Sequence, residues 1–157
     1  MTKSTLNRLD YRIKEWDEDM TKHVKSLEAK GKPVILGGDL NTSQSPMDMY
    51  KTVQKVFKPV TEGLRDSFNR FLASGYVDTF RHLYPGVQKH TAWSPYGGRK
   101  KNLGLRVDYF CCSQSMIDFV VDSEIHQEVL GSDHSPISLT IYLKEMGSGV
   151  EKVFGGC

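Results

Sequence analysis

Residue types that can perform acid–base or metal chemistry stand in three separate stretches of the sequence. Asp39 and Asn41 flank one leucine in Gly-Asp-Leu-Asn. Asp108 lies far along the chain, and Asp133 directly precedes His134. A carboxylate accepts a proton or helps to hold a divalent ion, and a histidine oriented by a carboxylate suits general acid–base catalysis. Carboxylates that lie close together would form a magnesium site that polarises a phosphate, so the pattern indicates phosphate-ester chemistry.

Each of these residues also has a purely structural interpretation. The Gly-Asp-Leu-Asn stretch could be a strand that closes into an Asx-type turn. Asp108 could form a salt bridge with Arg106, and Asp133 with His134 could cap a turn before Pro136. Only the combination of the three stretches favours the catalytic interpretation.

A short segment combines positive charge with aromatic rings. Residues 96–102 together with Arg106 hold four lysines or arginines, beside Trp93 and Tyr96. Basic side chains interleaved with aromatic rings suit a phosphate backbone and an unstacked nucleotide. A solvated hairpin tip explains the segment equally well. The histidines without ligand-like spacing, interpreted as structural, are His23, His82, His90 and His126.

The elements that position the first stretch are a strand and the helix before it. The apolar run from Pro33 to Leu36 is typical of a buried strand. Because residues two apart on a strand face the same side, we expect Asp39 and Asn41 to project together from its end. Before Gly31, apolar residues recur at steps of three and four and predict a long helix whose stripe packs on a sheet. The stripe consists of Leu6, Leu9, Ile13, Trp16, Met20, Val24 and Leu27.

The rest of the chain is predicted to change from helix to strand. Ser45 followed by Pro46 predicts the N-cap of a short helix that ends at Pro59. A further helix is predicted around Phe68 and ends before Gly75. The predicted strands are 91–94, 105–111, 120–125 and 137–143. Residues 145–157 contain glycines without periodicity, which predicts a loose tail.

The composition is that of an ordinary globular chain. A length of 157 residues predicts one domain, and a formal net charge of +2 leaves nucleic-acid binding to local patches. No apolar run approaches the roughly 18 residues of a membrane span, and the first residues do not form a secretory signal. Cys111, Cys112 and Cys157 form neither a disulfide framework nor zinc-ligand spacing. We therefore expect an intracellular, reducing compartment: nucleus, cytoplasm or mitochondrion.

Four motifs, in this order, are similar to those of one known family. They are Gly-Asp-Leu-Asn at 38–41, Val-Asp-Thr-Phe-Arg at 77–81, Gly-Leu-Arg-Val-Asp-Tyr at 104–109 and Gly-Ser-Asp-His-Ser-Pro at 131–136. In order and spacing they resemble the exonuclease III-type apurinic/apyrimidinic endonucleases of the endonuclease/exonuclease/phosphatase superfamily. The likeness extends from about Asp10 to Leu143.

This resemblance implies an α/β fold, part of a four-layer α/β/β/α sandwich of the deoxyribonuclease I type with mostly antiparallel sheets. It also implies hydrolysis of double-stranded DNA that depends on Mg²⁺, with Mn²⁺ as the alternative ion. Members cut 5′ to abasic sites and trim blocked 3′ ends in base excision repair.

The resemblance also implies a role for each site residue. By position, Asp39 would orient or deprotonate the attacking water, and Asn41 would contact the phosphate. Asp108 would orient His134 on a phosphate oxygen, and Asp133 with Asp39 would bind the metal. The residues expected to approach DNA are Trp93, Tyr96, Arg99, Lys101, Asn102 and Arg106.

Relative to that family, the sequence lacks a first strand, a metal-binding glutamate and an active-site tyrosine. We therefore expect residues 1–144 to be the C-terminal half of the domain, truncated at the N-terminus, with an incomplete metal site. Such a half would expose apolar surface and associate with a missing N-terminal half or with itself.

Three hypotheses stay open on the sequence alone. The first is a nuclease of this family, active on abasic DNA. The second is a catalytically incomplete half-domain that binds DNA or a partner chain. The third keeps the superfamily but changes the substrate to an inositol phosphate or another small phosphoester, against which the basic and aromatic segment argues mildly.

Overall fold

A computed structural model of the chain describes residues 8–51, 58–94, 98–145 and 148–156. None of the helices in these ranges is both long enough and apolar enough to cross a membrane. Ser45 and Pro46 begin a capped 3₁₀ segment, Pro46–Asp48, as the N-cap signal predicts. The predicted continuation of that helix through 52–57 lies outside the described residues, and so does Tyr96.

The first helix, α1, confirms most of the predicted apolar stripe among the described residues, outside which Leu6 lies. Its consecutive parts are Leu9–Tyr11, a π-helical segment Arg12–Trp16, and Asp17–Glu28. Val24 is buried and Met20 packs beside it. Trp16 and Leu27, however, are 38% and 36% exposed, so the stripe prediction is wrong for these two residues. Trp16 lies in the π-helical segment, whose wider turn shifts the stripe, and Leu27 lies in the last turn of the helix.

The remaining elements include a short strand, Tyr76–Asp78, and a short helix, Thr79–Leu83, which the sequence pattern did not predict, among the predicted helices and strands. The helices are α2 (Lys58–Ala73) and α3 (Thr79–Leu83), with a second 3₁₀ segment at Gln114–Phe119. The strands are β1 (Ile35–Asp39), β2 (Tyr76–Asp78), β3 (Ala92–Trp93), β4 (Gly104–Leu105), β5 (Asp108–Ser113), β6 (Val120–Ile125), β7 (Ile137–Glu145) and β8 (Ser148–Gly156). All pairings between these strands are antiparallel.

The first sheet has the order β1-β5-β2 and is covered on one face by α1 and α2. Phe68 and Phe71 of α2 reach the sheet, where Phe71 stacks on Tyr76 at a centroid distance of 4.6 Å and Phe68 meets Tyr109 at 4.7 Å. Cys111 completes this core with no exposed surface. Burial of these rings fixes β5 and its neighbours against the helices.

The second sheet has the order β6-β7-β8, and its inner face packs on the other face of the first sheet. Leu139 and Ile141 of β7 contact Cys112 and Phe110 of β5 through one continuous apolar cluster. Cys111 faces the helices and Cys112 faces the second sheet, as expected for adjacent residues on a strand. Helices, first sheet and second sheet therefore form successive layers of the predicted α/β sandwich.

The prediction of a loose tail from residue 145 is wrong. β8 pairs with β7 from Glu145 opposite Ser148 to Ile137 opposite Gly156. The reason lies in the backbone, because β6 covers only one edge of β7 and leaves a row of N–H and C=O groups on the other. A glycine-rich segment can satisfy those groups without any side-chain periodicity, which is why the sequence pattern gave no signal.

Candidate active site

β1 and β5 bring two carboxylates face to face. In their antiparallel register Asp39 lies directly opposite Asp108, at the residue where β1 ends. Gly37 cannot carry a side chain here, because a Cβ would lie 2.6 Å from the ring of Phe110. Gly38 has a φ of +144°, a conformation that other residues rarely adopt. The glycine pair thus allows β1 to pass over Phe110 and to end with Asp39 at the site.

Asn41 reaches the same site through a turn. It has a left-handed φ of +49°, two residues after β1 ends. Its backbone N–H and its Nδ2 donate to the two carboxylate oxygens of Asp39, at 2.8 and 2.9 Å. The motif is therefore an Asx-type turn that also holds an amide beside a carboxylate. The two groups lie together, as expected. The expected reason is wrong, because a turn after β1, and not a shared strand face, brings Asn41 to Asp39.

His134 completes the site through a hydrogen bond with Asp108. The distance from His134 Nδ1 to Asp108 Oδ2 is 2.9 Å, and the imidazole stays partly exposed. Burial is the main influence on the pKa of Asp108 and raises it above its ordinary value; Thr91 and His134 partly oppose this rise, and the charge of Asp39 adds to it. The alternative in which Asp108 forms a salt bridge with Arg106 is wrong.

Thr91 is a residue of this site that the sequence analysis missed. Its buried hydroxyl accepts hydrogen bonds from the backbone N–H groups of Val107 and Asp108, at 3.0 and 3.1 Å. Its carbonyl accepts a hydrogen bond from the N–H of Ser135 at 2.7 Å. Thr91 therefore joins β5 to the segment that carries His134. A single threonine at the start of a predicted strand gave no signal of this role.

The ligand atoms of Asp39, Asp108 and His134 all lie within 4.8 Å of one another. Two opposed carboxylates repel, and a cation between them relieves that repulsion. Because carboxylate oxygens are also the ligands that Mg²⁺ prefers, the donor set fits a divalent cation. Asp133 is exposed and is not a member of this group; its carbonyl accepts a hydrogen bond from the N–H of Trp93 at 2.9 Å. The metal-binding role of Asp133 stays a prediction.

Arg106 is fully buried, so its prediction as a DNA contact is wrong. Its Nε lies 2.8 Å from Asp48 Oδ1, and its Nη2 lies 2.7 Å from Asp78 Oδ2. A buried cation needs such partners because the interior solvates charge poorly. Arg81 joins the group, with Nη2 2.6 Å from Asp48 Oδ1. Asp48 was not predicted as a functional residue, and Asp78 and Arg81 were predicted only as parts of a motif.

This ion network connects the turn after β1 to the segment before Asp108. The N–H of Arg106 donates to the carbonyl of Asp48 at 2.8 Å, and the hydroxyl of Ser43 donates to the carbonyl of Arg106 at 3.0 Å. These bonds divert Arg106 from strand pairing, which explains why the predicted strand 105–111 is divided into β4 and β5. Burial alone would raise the pKa of Asp48, but Arg106 and then Arg81 hold it below its ordinary value.

Arg12 approaches the site from the π-helical segment of α1. Its Nη2 donates to the carbonyl of Leu40 at 2.7 Å, between Asp39 and Asn41. Its Nε bonds to Asp17, and its guanidinium lies 4.3 Å from the ring centroid of Trp16. Arg12 was not predicted, because the apolar stripe of this helix was its only sequence signal.

The residues predicted to approach DNA fall into different environments. Trp93 is buried, and its Nε1 donates to Asn102 Oδ1 at 3.2 Å. The guanidinium of Arg99 lies 4.6 Å from the Trp93 ring centroid, while Lys101 is exposed. Trp93, Arg99 and Asp133 line one open groove of about 950 Å³ beside His134. DNA contact by Trp93, Asn102, Arg99 and Lys101 stays a prediction.

The chain belongs to the endonuclease/exonuclease/phosphatase family, which its residues 3–134 match. Opposed carboxylates and an aspartate–histidine pair thus lie in the part of the chain that defines this membership. The resemblance drawn from the four motifs is confirmed.

Within this family, the curated relatives and solved structures similar to the chain include endonucleases and exonucleases that act on DNA. The chain is 44% identical over 142 residues to the DNA-(apurinic or apyrimidinic site) endonuclease of Dictyostelium discoideum, covering 88% of this chain and 39% of that protein. It is 39% identical to the exodeoxyribonuclease of Bacillus subtilis strain 168, covering 87% of this chain and 54% of the relative. The crystal structure of the AP endonuclease LMAP from Leishmania major superposes with a TM-score of 0.76 at 33% identity, over 85% of this chain and 45% of that one. The chain therefore spans about half the length of the proteins it matches.

Proposed function

We propose that this chain carries the water-orienting and phosphate-binding part of a Mg²⁺-dependent DNA phosphodiesterase that cuts 5′ to abasic sites and trims blocked 3′ ends. The observation that supports this most is the convergence of Asp39, Asp108 and His134, with Asn41 held against Asp39. The names of the relatives, an abasic-site endonuclease and an exodeoxyribonuclease, support the choice of DNA as substrate.

A bound Mg²⁺, or Mn²⁺ in its place, would be held by Asp39 together with Asp108 or Asp133, and it would polarise the phosphate and stabilise charge on the leaving oxygen. In this proposal Asp39 orients the attacking water. It takes the proton of that water as the oxygen bonds to phosphorus, one P–O ester bond breaks, and the leaving oxygen takes a proton from solvent.

The other side chains bind the phosphate. The Nδ2 of Asn41 uses one hydrogen on Asp39 and carries a second that can donate to a phosphate oxygen. Because Nδ1 of His134 is engaged by Asp108, Nε2 is the nitrogen left to hold a non-bridging oxygen. Such donors are effective because they are oriented before the substrate arrives.

A second candidate is a half-domain that binds DNA or a partner chain without cutting. It is favoured by the small donor set, because two of its three residues, Asp108 and His134, are already hydrogen-bonded to each other. Val121, Tyr142 and Phe119 are 55%, 44% and 43% exposed. An N-terminal half or a second copy of the chain could cover this apolar surface.

The test is incubation of the 157-residue chain with a duplex that contains one abasic-site analogue, with and without Mg²⁺. The proposal expects cutting 5′ to the site that needs Mg²⁺, is lost in His134→Ala and persists in His23→Ala, a change at an exposed histidine of α1. Salt-sensitive binding without cutting at any Mg²⁺ concentration would favour the second candidate. If the folded protein neither cuts nor binds this DNA, both candidates are contradicted. Sedimentation of the same sample reports self-association.

A further inference from the structure

The guanidinium of Arg99 forms hydrogen bonds with other residues of this chain. Its Nη1 donates to the carbonyl of Ser132 at 2.9 Å, and its Nη2 donates to the carbonyl of Gln127 at 2.9 Å. The carbonyl of Val129 and the hydroxyl of Ser135 also lie within hydrogen-bond distance of Nη2, so its two hydrogens are shared among three acceptors. All four acceptors belong to one segment, residues 126–135, which joins β6 to β7 and which we name the histidine loop.

The middle of the histidine loop is open to solvent and lies outside both β6 and β7. Leu130 is 76% exposed and Val129 is 45% exposed, and Gly131 has a φ of +117°. Carbonyls in a turn of this kind have no strand partner, and a guanidinium offers five donors in a planar fork that can satisfy several of them. The ring of Trp93 lies against the guanidinium at 4.6 Å and fixes its plane.

The far end of the histidine loop carries His134. Around it, the N–H of Trp93 donates to the carbonyl of Asp133 at 2.9 Å, and the N–H of Ser135 donates to that of Thr91 at 2.7 Å. Arg99 bonds to Ser132 and Ser135, on either side of Asp133 and His134. Without Arg99 the loop would keep the two backbone bonds and that of Gln127 Nε2 to the carbonyl of His90, and it would lose the bonds that connect its middle to its far end.

We infer that Arg99 is a positioning residue: it holds the histidine loop so that the imidazole of His134 stays on Asp108. This role differs from the direct DNA contact predicted for Arg99 from the sequence. A contact with a phosphate needs positive charge, which lysine retains. Bridging several carbonyls needs the fork, which lysine lacks. Arg99→Lys therefore separates the two roles.

The deciding experiment is nuclear magnetic resonance of the folded chain labelled with ¹⁵N, comparing wild type, Arg99→Lys, Arg99→Ala and Arg70→Lys. Arg70 is an exposed arginine of α2 and serves as the matched control. We expect both Arg99 variants to shift the ring nitrogen signals of His134 towards those of a freely rotating imidazole. We also expect amide exchange at Trp93 and Ser135 to accelerate by about tenfold or more, the factor that corresponds to loss of a hydrogen bond to a charged group.

Two further readouts keep the inference falsifiable. Guanidinium chloride at millimolar concentration should move the ring nitrogen signals of His134 in Arg99→Ala part of the way back to their wild-type positions. It should leave the signals of wild type unchanged. If Arg99→Ala does not fold, Arg99→Lys decides alone: His134 signals and exchange rates equal to wild type would overturn the inference. Cleavage by Arg99→Lys rests on the proposed function, and a wild-type chain that does not cut would refute that function without touching the spectroscopic result.

Discussion

Asp39 and Asp108 lie directly opposite each other across the β1–β5 pair, two carboxylates at the position where like charges repel most. The charge of Asp39 contributes to the raised pKa of Asp108, after burial as the main cause. We therefore predict that Asp39→Asn lowers the pKa of Asp108 while leaving it above its ordinary value, because burial persists. The measurement is the carboxyl ¹³C shift of Asp108 as a function of pH.

The control for this titration is Asp118→Asn, a change at an exposed aspartate of the second 3₁₀ segment. An Asp108 titration that is the same in Asp39→Asn and in wild type would show that the two carboxylates do not interact. Addition of Mg²⁺ to wild type should displace the Asp108 titration towards lower pH, and the displacement should be smaller in Asp39→Asn.

The hydrogen bond between Asp108 and His134 predicts a large effect of Asp108→Asn. An amide cannot accept at both positions as a carboxylate does, so the imidazole is held in the wrong tautomer or released. Under the proposed function we expect the single-turnover cleavage rate to fall by about 10²–10⁴-fold, the usual range for loss of a positioned acid–base group. DNA affinity should change little, because Asp108 is buried. A rate equal to that of Asp118→Asn would exclude the pair from catalysis.

The buried pair of Asp48 and Arg106 predicts a large loss of stability in Asp48→Asn. Removing the charge of Asp48 leaves the guanidinium groups of Arg106 and Arg81 with Asp78 as the one carboxylate of this network, and an incompletely compensated buried charge costs about 3–5 kcal/mol in the free energy of unfolding. The measurement is urea denaturation near neutral pH, with the exposed Asp66→Asn of α2 as control. Equal losses in the two variants would contradict the prediction.

The same aspartate predicts the direction of the pH dependence. Because the folded protein holds the pKa of Asp48 below its ordinary value of 3.8, its ionised form stabilises the fold above that pH. The contribution is lost as the pH falls below 3.8 and through the pKa of the folded state. The unfolding free energy of wild type should therefore decrease more steeply in this acid range than that of Asp48→Asn.

Gly104 predicts a steric effect on the groove beside the site. A Cβ at Gly104 would lie 2.6 Å from Nε1 of Trp93 and 2.8 Å from the carbonyl oxygen of Ala92, and the latter is backbone that cannot yield cheaply. We expect Gly104→Ala to lower the free energy of unfolding by about 1–3 kcal/mol and to shift the tryptophan fluorescence. Gly86→Ala is the matched control, because nothing lies within 4 Å of its Cβ position.

Several elements could be predicted because their signals are local. The steps of three and four before Gly31 predicted α1, and the apolar run before the glycine pair predicted β1. The strand predicted at 120–125 is observed as β6, Val120–Ile125. Periodicity failed where the stabilising partner is distant in sequence, since β8 depends on the free edge of β7 rather than on a pattern of its own.

The candidate site shows the same division. Asp39, Asp108 and His134 could be predicted to lie together because their motifs are short and follow a recognisable order. In the structure, one ligand atom of each residue lies within 4.8 Å of the other two. The partners of Arg106 come from the 3₁₀ segment Pro46–Asp48 and from the end of β2, so no spacing in the sequence could distinguish a buried arginine from a surface one. Arg99 looked like a surface charge for the same reason.

The two adjacent cysteines of β5 predict slow thiol chemistry in the folded chain. Cys111 and Cys112 have no exposed surface, and burial raises the pKa of Cys112 to about 11 and that of Cys111 well above its ordinary value. Because the thiolate is the reactive form, neither should react with a disulfide reagent at pH 8 while both sheets are closed. The measurement uses Cys157→Ser, so that only this pair is counted, with reagent added before and after unfolding in guanidinium chloride. Two thiols should appear only after unfolding, and rapid labelling of the native variant would mean that the face between the two sheets opens readily.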